Sequence, residues 1–200
     1  MKKFWRKYSR KKRWWSILLD FLFMVFVVAM LFPATRKPIS AFLIRQVLLP
    51  PPENEQVMFL SKNDWKMPLM KSDSLDEVFL LEQFKGKPLF INFWATWCPP
   101  CIAEMPSIQK LYDSYKGKVV FILISNEECE VVNAFLKKNK YSFPAYCLEK
   151  GVPPIFETTT IPSSFIVSPK GRVMVHKTGA ANWNSSKIRR LLDEMLRQLK

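Results

Sequence analysis

The spacing of hydrophobic and polar residues changes along the chain, and each pattern predicts an element. The runs 88–95 and 119–124 are apolar without strict alternation, which is typical of strands buried on both faces. Three other stretches, 100–115, 127–139 and 185–199, repeat apolar residues at helical intervals and predict amphipathic helices. Buried strands that alternate with such helices favour an α/β fold.

Shorter segments complete this predicted domain. A strand is expected over 143–148, and two strands over 164–167 and 172–176 are expected to form a hairpin. A short helix is expected over 75–85. Together these elements predict a mixed sheet flanked by helices over residues 57–200.

A long apolar segment near the N-terminus, 14–32, has a different character. It carries one charged residue, Asp20, in 19 positions, and a helix of that length spans about 28 Å, close to the thickness of a bilayer core. We expect an uncleaved transmembrane helix that anchors the chain. A cleaved signal peptide is the alternative, but the segment is longer than a usual signal core and ends without a small-x-small cleavage site.

Most of the formal charge of +14 lies around this segment. Eight of the 13 residues before it are Lys or Arg, and three more follow it by residue 45, so the rest of the chain is nearly neutral. The asymmetry predicts a cytoplasmic tail over 1–13 and a domain outside the cytoplasm. The basic, aromatic start also resembles a nucleic-acid-binding arm. Beside a membrane segment, a topology signal in contact with the lipid bilayer is the simpler interpretation, and we expect no nucleic acid partner.

Residues 33–56 connect the apolar segment to the domain. Apolar residues at helical spacing over 38–49 predict a short juxtamembrane helix that lies on the membrane. The Pro-rich segment 50–56 predicts a stiff, extended linker. The folded domain is therefore expected over 57–200.

The strongest chemical motif is Cys98-Pro99-Pro100-Cys101, which closely follows the 88–95 strand and begins the next helix. Two cysteines at this spacing can close a small disulfide ring, and a helix N-terminus favours a thiolate at the first of them. The alternatives are one half of a zinc site and a permanent disulfide. No second Cys or His pair lies at ligand spacing, so we expect no metal and no other cofactor.

The positions of the two cysteines predict their roles. We expect Cys98 to be exposed at the helix N-cap and to act as the nucleophile, and Cys101 to resolve the mixed disulfide. Pro99 and Pro100 have no N–H, so only Cys101 and later residues can donate a hydrogen bond to the Cys98 sulfur. This limited stabilisation of the thiolate predicts a reductant or a mild exchanger.

The run FINFWATWCPPC, followed by IAEMP and later by TTTIPSSFIVSPKGRV, resembles the membrane-anchored thioredoxin-like proteins of the TlpA/ResA type. The resemblance covers most of 57–200 and implies a thioredoxin-like fold, here preceded by the one N-terminal transmembrane helix expected above. It also implies a single-pass protein of a bacterial inner membrane whose thioredoxin-like domain is periplasmic or extracytoplasmic. It implies a thiol-disulfide oxidoreductase that reduces disulfides of client proteins, often an apocytochrome c in cytochrome c maturation. The electron donor implied by analogy is a membrane thiol transporter of the DsbD type.

The resemblance also implies roles for residues outside the cysteine pair. It implies a cis peptide bond before Pro162, beside the disulfide, and pairing of the Ile161 backbone with an extended substrate segment. The rings of Trp97 and Trp94 are expected to flank the substrate groove, with core packing as the safer expectation for Trp94. The substrate-binding residues expected on this basis are Trp97, Pro99, Pro100, Ile161 and Pro162.

Glu104 lies one turn after Cys101 and matches the acidic position that this family has near its active site. A partly buried carboxylate there can take the proton of Cys101 as it becomes the attacking thiolate. In thioredoxin this role belongs to a buried aspartate on the preceding strand, where this chain has Asn92, which cannot titrate. The expected catalytic residues are therefore Cys98, Cys101 and Glu104. An exposed Glu104 that only complements the helix dipole is the alternative.

Two further cysteines and the single histidine lie outside this motif. The predicted helix and strand between Cys129 and Cys147 bring the two to one level of the fold. Two buried, unpaired thiols are the default expectation, with a disulfide or a thiol relay as alternatives. We expect His176 to be structural.

Two other functions remain open at this point. A peroxidase of the peroxiredoxin group shares the fold, but it needs a threonine three positions before its reactive cysteine, whereas Thr96 is two before Cys98. A binding module would hold a client at the dithiol without turnover. Turnover that depends on Cys98 distinguishes the enzyme from the module.

Overall fold

The computed structural model describes residues 14–31, 33–52, 57–74, 78–148 and 151–199. Contacts within the backbone divide the chain into two units, Met1–Ser40 and Ala41–Lys200. The expected cytoplasmic tail, 1–13, lies outside the described residues, and so does Phe32 at the end of the expected membrane segment.

Two helices come first along the chain. Helix α1 spans Trp14–Leu31, and its large apolar side chains from Trp14 to Val28 are exposed. Helix α2 spans Pro33–Gln46 and has Pro38 inside it. It overlaps the helix predicted over 38–49, but both its first and its last residue come earlier in the chain. Within the described part of the chain, no helix has both the length and the hydropathy needed to cross a membrane.

The second unit is built on one sheet, whose strands are β1 Met58–Phe59, β2 Pro68–Lys71, β3 Val78–Leu80, β4 Leu89–Trp94, β5 Val120–Ser125, β6 Ala145–Cys147, β7 Ser163–Val167 and β8 Arg172–Thr178. Their order across the sheet is β1-β8-β7-β4-β5-β6-β2-β3. Strands β4, β5 and β6 are parallel, and all other neighbours are antiparallel. The predicted mixed sheet is confirmed.

Both faces of this sheet are covered. One core contains side chains of three helices, α3 Pro99–Tyr115, α4 Cys129–Asn139 and α5 Ser186–Arg197. The other contains side chains of three short 3-10 helices, Asp64–Lys66, Leu81–Phe84 and Pro154–Phe156. Successive residues of β4 alternate between the cores, so that Phe90 belongs to the first and Ile91 to the second. All of β4 is therefore buried, as its unbroken apolar run predicts.

The helix predicted over 75–85 is wrong. Val78–Leu80 forms strand β3, which pairs with β2, and a 3-10 helix follows. The Leu81 N–H donates to the Met67 carbonyl oxygen over 3.0 Å. Pairing with a separate strand thus overrides the local helical spacing. Strand β1 at one end of the sheet and strand β2, which lies between β6 and β3 at the other, were not predicted either.

The segment after α2 is part of the second unit and is bonded within it. The Leu49 carbonyl oxygen accepts a hydrogen bond of 2.9 Å from the Asn182 N–H, and Pro51 is buried. The chain just before the predicted linker is thus bonded to the loop that contains Asn182. The stiff, extended linker expected over 50–56 stays a prediction. The rest of the predicted linker, 53–56, lies outside the described residues.

Candidate active site

Cys98 and Cys101 form a disulfide at the start of α3, with Cα atoms 5.3 Å apart. Cys98 is the N-cap residue, and Pro99 and Pro100 occupy the first turn. The fixed φ of proline suits this turn, where its missing N–H costs no helical hydrogen bond. The Cys101 N–H donates to Cys98 Sγ over 3.2 Å, which confirms the first donor that the two prolines leave available.

Cys98 is less accessible than predicted. Only 3% of the residue is exposed, and Cys101 is fully buried. Cys98 Sγ is bonded to Cys101 on one side and lies 3.9 Å from the Ile161 carbonyl oxygen on the other. The expectation of an exposed nucleophile is therefore wrong for this oxidised form, because the disulfide turns the sulfur toward α3 and the loop before β7.

The loop before β7 contains the predicted cis peptide bond, between Ile161 and Pro162. Ile161 and Trp97 line a groove of about 290 Å³ together with Trp94, Phe156 and neighbouring residues. Trp97 is 54% exposed, which leaves its ring available to a partner. The structure thus brings together two of the predicted substrate-binding residues at one groove. The described lining of that groove does not include Pro99, Pro100 or Pro162.

Glu104 is fully buried on α3, one turn after Cys101. Its Oε1 accepts from Asn92 Nδ2 over 2.8 Å, and its Oε2 accepts from Trp183 Nε1 over 2.9 Å and from the Ala181 N–H over 3.0 Å. Burial raises the pKa of Glu104 to about 7, although the three hydrogen bonds act in the opposite direction. The alternative of an exposed Glu104 is wrong, and the buried carboxyl group can exchange a proton near neutral pH.

Asn92 links Glu104 to strand β7. Its Nδ2 also donates to Ser164 Oγ over 2.8 Å, and Ser164 is its register partner on β7. Its Oδ1 is buried and accepts no hydrogen bond from any residue that the structure describes. Asn92, Ser164 and Glu104 form a hydrogen-bonded cluster within an apolar core. In such a core, each unpaired donor or acceptor costs stability.

Sequence reasoning did not find Ser164, Ala181 and Trp183 as parts of this cluster. One signal for them exists, since Asn92 interrupts a strand that is otherwise apolar on both faces. A buried amide requires hydrogen-bond partners from elsewhere in the fold. The strand pattern alone does not identify those partners, because the first of them, Ser164, lies 72 positions after Asn92.

Cys129 and Cys147 form a second disulfide, with Cα atoms 5.8 Å apart. The default expectation of two unpaired thiols is therefore wrong. Cys129 begins α4 just after β5, and Cys147 ends the neighbouring β6, so both lie at one edge of the sheet. No described cysteine is free, and no three His, Cys, Asp or Glu side chains among the described residues are arranged to hold a metal ion.

His176 stacks on Phe165 with ring centroids 4.2 Å apart, and burial lowers its pKa. Its ring belongs to the hairpin of β7 and β8. These contacts agree with the structural role expected for it.

The Redoxin family model matches residues 62–192, which is more than half of the chain. The chain belongs to the Redoxin family.

Within the Redoxin family, this chain is similar to proteins named as thiol-disulfide oxidoreductases. It is 39% identical to thiol-disulfide oxidoreductase ResA of Bacillus cereus over 98 residues, which are 47% of this chain and 56% of ResA. It is 37% identical to sporulation thiol-disulfide oxidoreductase A of Bacillus subtilis over 101 residues, which are 48% of this chain and 61% of the relative. The chain thus spans little more than half the length of the curated relatives it matches.

A solved structure agrees with this placement. The crystal structure of StoA from Bacillus subtilis is 26% identical and superimposes with a TM-score of 0.50, covering 71% of this chain and 98% of StoA. With the cysteine pair at the N-cap of α3, these matches show that the chain is a thioredoxin-like protein of the TlpA/ResA type.

Proposed function

We propose that this Redoxin-family chain is a thiol-disulfide oxidoreductase that reduces disulfides of client proteins with the pair Cys98 and Cys101. The observation that carries the proposal is the position of this pair at the N-cap of α3, with Cys98 Sγ 3.9 Å from the Ile161 carbonyl oxygen. A client segment that pairs with the Ile161 backbone would present its own sulfur to Cys98. The printed names of the relatives, ResA and sporulation thiol-disulfide oxidoreductase A, support this activity.

The proposed reaction begins from the reduced dithiol. The Cys98 thiolate attacks one sulfur of the client disulfide, which forms a mixed disulfide and releases the other client sulfur as a thiolate. The Cys101 thiolate then attacks Cys98 Sγ, forms the Cys98–Cys101 disulfide and releases the second client sulfur. Two electrons pass to the client, and the enzyme ends in the oxidised form that the structure has. A donor dithiol must then reduce it again.

Glu104 is the proposed acceptor of the Cys101 proton. Cys101 must lose this proton before it can attack, and Glu104 lies one turn away on the same helix. With its pKa raised to about 7 by burial, the Glu104 carboxylate can accept a proton near neutral pH and return it when the dithiol is regenerated. Its hydrogen bonds to Asn92, Ala181 and Trp183 hold the carboxylate in place for this exchange.

The expected direction of transfer is reduction. Cys98 Sγ accepts a hydrogen bond from the Cys101 N–H, while Pro99 and Pro100 offer no N–H to a thiolate at that position. A weakly stabilised thiolate favours the disulfide form of the enzyme and hence a reducing couple. Equilibration with glutathione should therefore give a reducing potential, and a strongly oxidising potential would contradict this direction.

A peroxidase remains a less supported alternative. The Thr96 hydroxyl donates to Glu127 Oε1 over 2.7 Å, so it is engaged by Glu127 and not directed at Cys98. Consumption of hydrogen peroxide by the reduced protein at a rate comparable with disulfide reduction would favour the peroxidase.

We further propose that the 14–32 segment tethers the chain to a bacterial inner membrane, with the Redoxin domain outside the cytoplasm. The apolar surface of α1 and the eight cations before it support this arrangement. In that location a membrane thiol transporter of the DsbD type would be the electron donor, and an apocytochrome c would be one client.

Membrane fractions washed at alkaline pH should retain the full chain, and protease added to spheroplasts should digest the domain. Release by the wash or protection from protease would contradict the tether or the orientation.

The oxidoreductase proposal is tested by trapping. Cys101→Ser leaves Cys98 free to attack a client but removes the thiol that resolves the mixed disulfide, so covalent adducts should accumulate and identify the client by mass spectrometry. Cys98→Ser/Cys101→Ser is the matched control and should trap nothing. An absence of thiol-sensitive adducts with Cys101→Ser would contradict the proposal.

A further inference from the structure

The Cys129–Cys147 disulfide has no part in the proposed reaction, yet it closes a short loop at the edge of the sheet that leads to the active site. Ser125 at the end of β5 lies in register with Cys147 on β6, and Cys147 is bonded to Cys129 at the start of α4. The three residues 126–128 are therefore held at both ends, by strand pairing and by a covalent bond.

The middle residue of this loop is Glu127, and its carboxylate binds the chain just before the reactive cysteine. Glu127 Oε2 accepts from the Thr96 N–H over 2.6 Å, and Oε1 accepts from the Thr96 hydroxyl over 2.7 Å. On its own side, Glu127 is held by Ser125, whose hydroxyl lies 3.2 Å from both Oε2 and the Glu127 N–H. Hydrogen bonds to a carboxylate are among the stronger ones in proteins.

Thr96 belongs to the turn that places Cys98. The Cys98 N–H donates to the Ala95 carbonyl oxygen over 3.2 Å, which closes the turn, and Cys98 then begins α3 as its N-cap. The backbone N–H of Thr96 lies inside this turn and finds its acceptor in Glu127. A continuous set of bonds thus runs from the second disulfide through Glu127 and Thr96 to the reactive cysteine.

We propose that the Cys129–Cys147 disulfide is a positioning element of the active site, which acts by holding Glu127 against the turn that carries Cys98. Its role in client reduction rests on the proposed oxidoreductase function. Its effect on the geometry of the dithiol does not, because the turn sets the position of Cys98 Sγ relative to Cys101 whatever the client.

The quantity that this positioning changes is the effective concentration of one thiol at the other. A thiol held next to its partner closes the disulfide more favourably than two free thiols do. Loss of the second disulfide frees the 126–128 loop, weakens the bonds from Glu127 to Thr96 and lets Cys98 move. The effective concentration should then fall, which makes the Cys98–Cys101 disulfide easier to reduce.

The test equilibrates the full chain with glutathione at fixed pH and follows each cysteine pair separately by acid quench, alkylation and peptide mass spectrometry. In Cys129→Ser/Cys147→Ser, the effective concentration of the Cys98–Cys101 pair should fall roughly three- to tenfold, as expected when charged hydrogen bonds to the turn are weakened. Glu127→Ala, with the second disulfide intact, should give a fall of similar size. Glu128→Ala removes the same charge one position away, from a side chain that makes no capping hydrogen bond, and should leave the value within twofold of wild type.

The triple variant Cys129→Ser/Cys147→Ser/Glu127→Ala tests whether the disulfide and Glu127 act on Cys98 together or independently. If the disulfide acts through Glu127, adding Glu127→Ala to the double serine variant should cause little further loss. Circular dichroism at the assay temperature confirms that each variant is folded. A wild-type value in the double serine variant, or fully additive losses, would overturn the proposal. The glutathione equilibrium needs no client, so it can show the predicted fall even if the chain reduces no client disulfide. A Cys129–Cys147 disulfide that only stabilises the fold would instead leave the effective concentration of the Cys98–Cys101 pair unchanged.

Discussion

Asn92 Nδ2 donates to Glu104 Oε1 over 2.8 Å, while Asn92 Oδ1 accepts nothing from the described residues around it. Nδ2 also donates to Ser164 Oγ. If the amide turns by 180°, Oδ1 takes the place of Nδ2 and can accept from a protonated Glu104 and from the Ser164 hydroxyl. Asn92 can therefore satisfy Glu104 in both protonation states, which suits a buried carboxyl group that takes up and releases a proton.

The stability of the oxidised protein should depend on the protonation of Glu104. Its pKa is about 7 in the folded chain against an ordinary value of 4.5, so the folded state holds this proton more tightly than the unfolded state. The resulting stabilisation is full below pH 4.5 and is lost as the pH rises through 7. Between these limits the free energy of unfolding of wild type should fall by about 3 kcal/mol relative to Glu104→Gln. Denaturant titrations at several pH values measure this, and parallel pH curves for the two proteins would contradict it.

The rate of thiol exchange should also depend on the protonation of Glu104. In wild type the step in which Cys101 attacks the mixed disulfide should show an inflection near the Glu104 pKa of about 7. Glu104→Gln should remove that inflection and flatten the profile. Quenched-flow measurement with a small disulfide substrate follows the step, and an unchanged profile in the variant would exclude Glu104 as the proton acceptor.

Trp183→Phe should move this inflection upward. The substitution removes the Nε1 donor to Glu104 but keeps a ring that can pack edge-on against Phe90, whose centroid is 5.0 Å away. The lost hydrogen bond lowers the pKa of Glu104 in wild type, so the inflection should rise by about one pH unit. Trp65→Phe, in the other core, serves as the control. An inflection that stays in place in Trp183→Phe would show that the indole only packs.

Asn92→Asp should couple two carboxyl groups. The new side chain would lie at the position from which Nδ2 now reaches Glu104 over 2.8 Å, and two carboxylates at that distance cannot both be charged at low cost. We expect an extra proton to be bound at pH 7 and the variant to lose stability as the pH rises above 7. Asn92→Leu, which removes the amide without adding charge, is the control. Equal pH dependence in the two variants would contradict the coupling.

Part of the site could be predicted from local sequence because its signals are local. The apolar run of β4, the Cys-Pro-Pro-Cys start of α3 and its first N–H donor all lie within 13 consecutive residues. The partners of Glu104 could not be predicted in this way. They lie 12, 77 and 79 positions from it and meet only because the sheet and the loop after β8 bring them together.

Two of the incorrect predictions have a common cause in strand pairing, which local spacing does not reveal. The helical spacing over 75–85 was overridden by pairing of β3 with β2. Cys129 and Cys147 were expected to be free, and the pairing of β5 with β6 places them at one edge, where they bond. The same edge places Glu127 beside Thr96, a contact across 31 positions that no motif indicates.

The central claim, that Cys98 and Cys101 transfer electrons to client disulfides, is tested most directly by insulin reduction with dithiothreitol as the donor. The wild-type chain should accelerate precipitation of the insulin B chain well above the rate with dithiothreitol alone, and so should Glu128→Ala, an exposed control. Cys98→Ser should reduce the rate to that of dithiothreitol alone. A wild type no faster than dithiothreitol alone, or a Cys98→Ser variant as fast as wild type, would contradict the account.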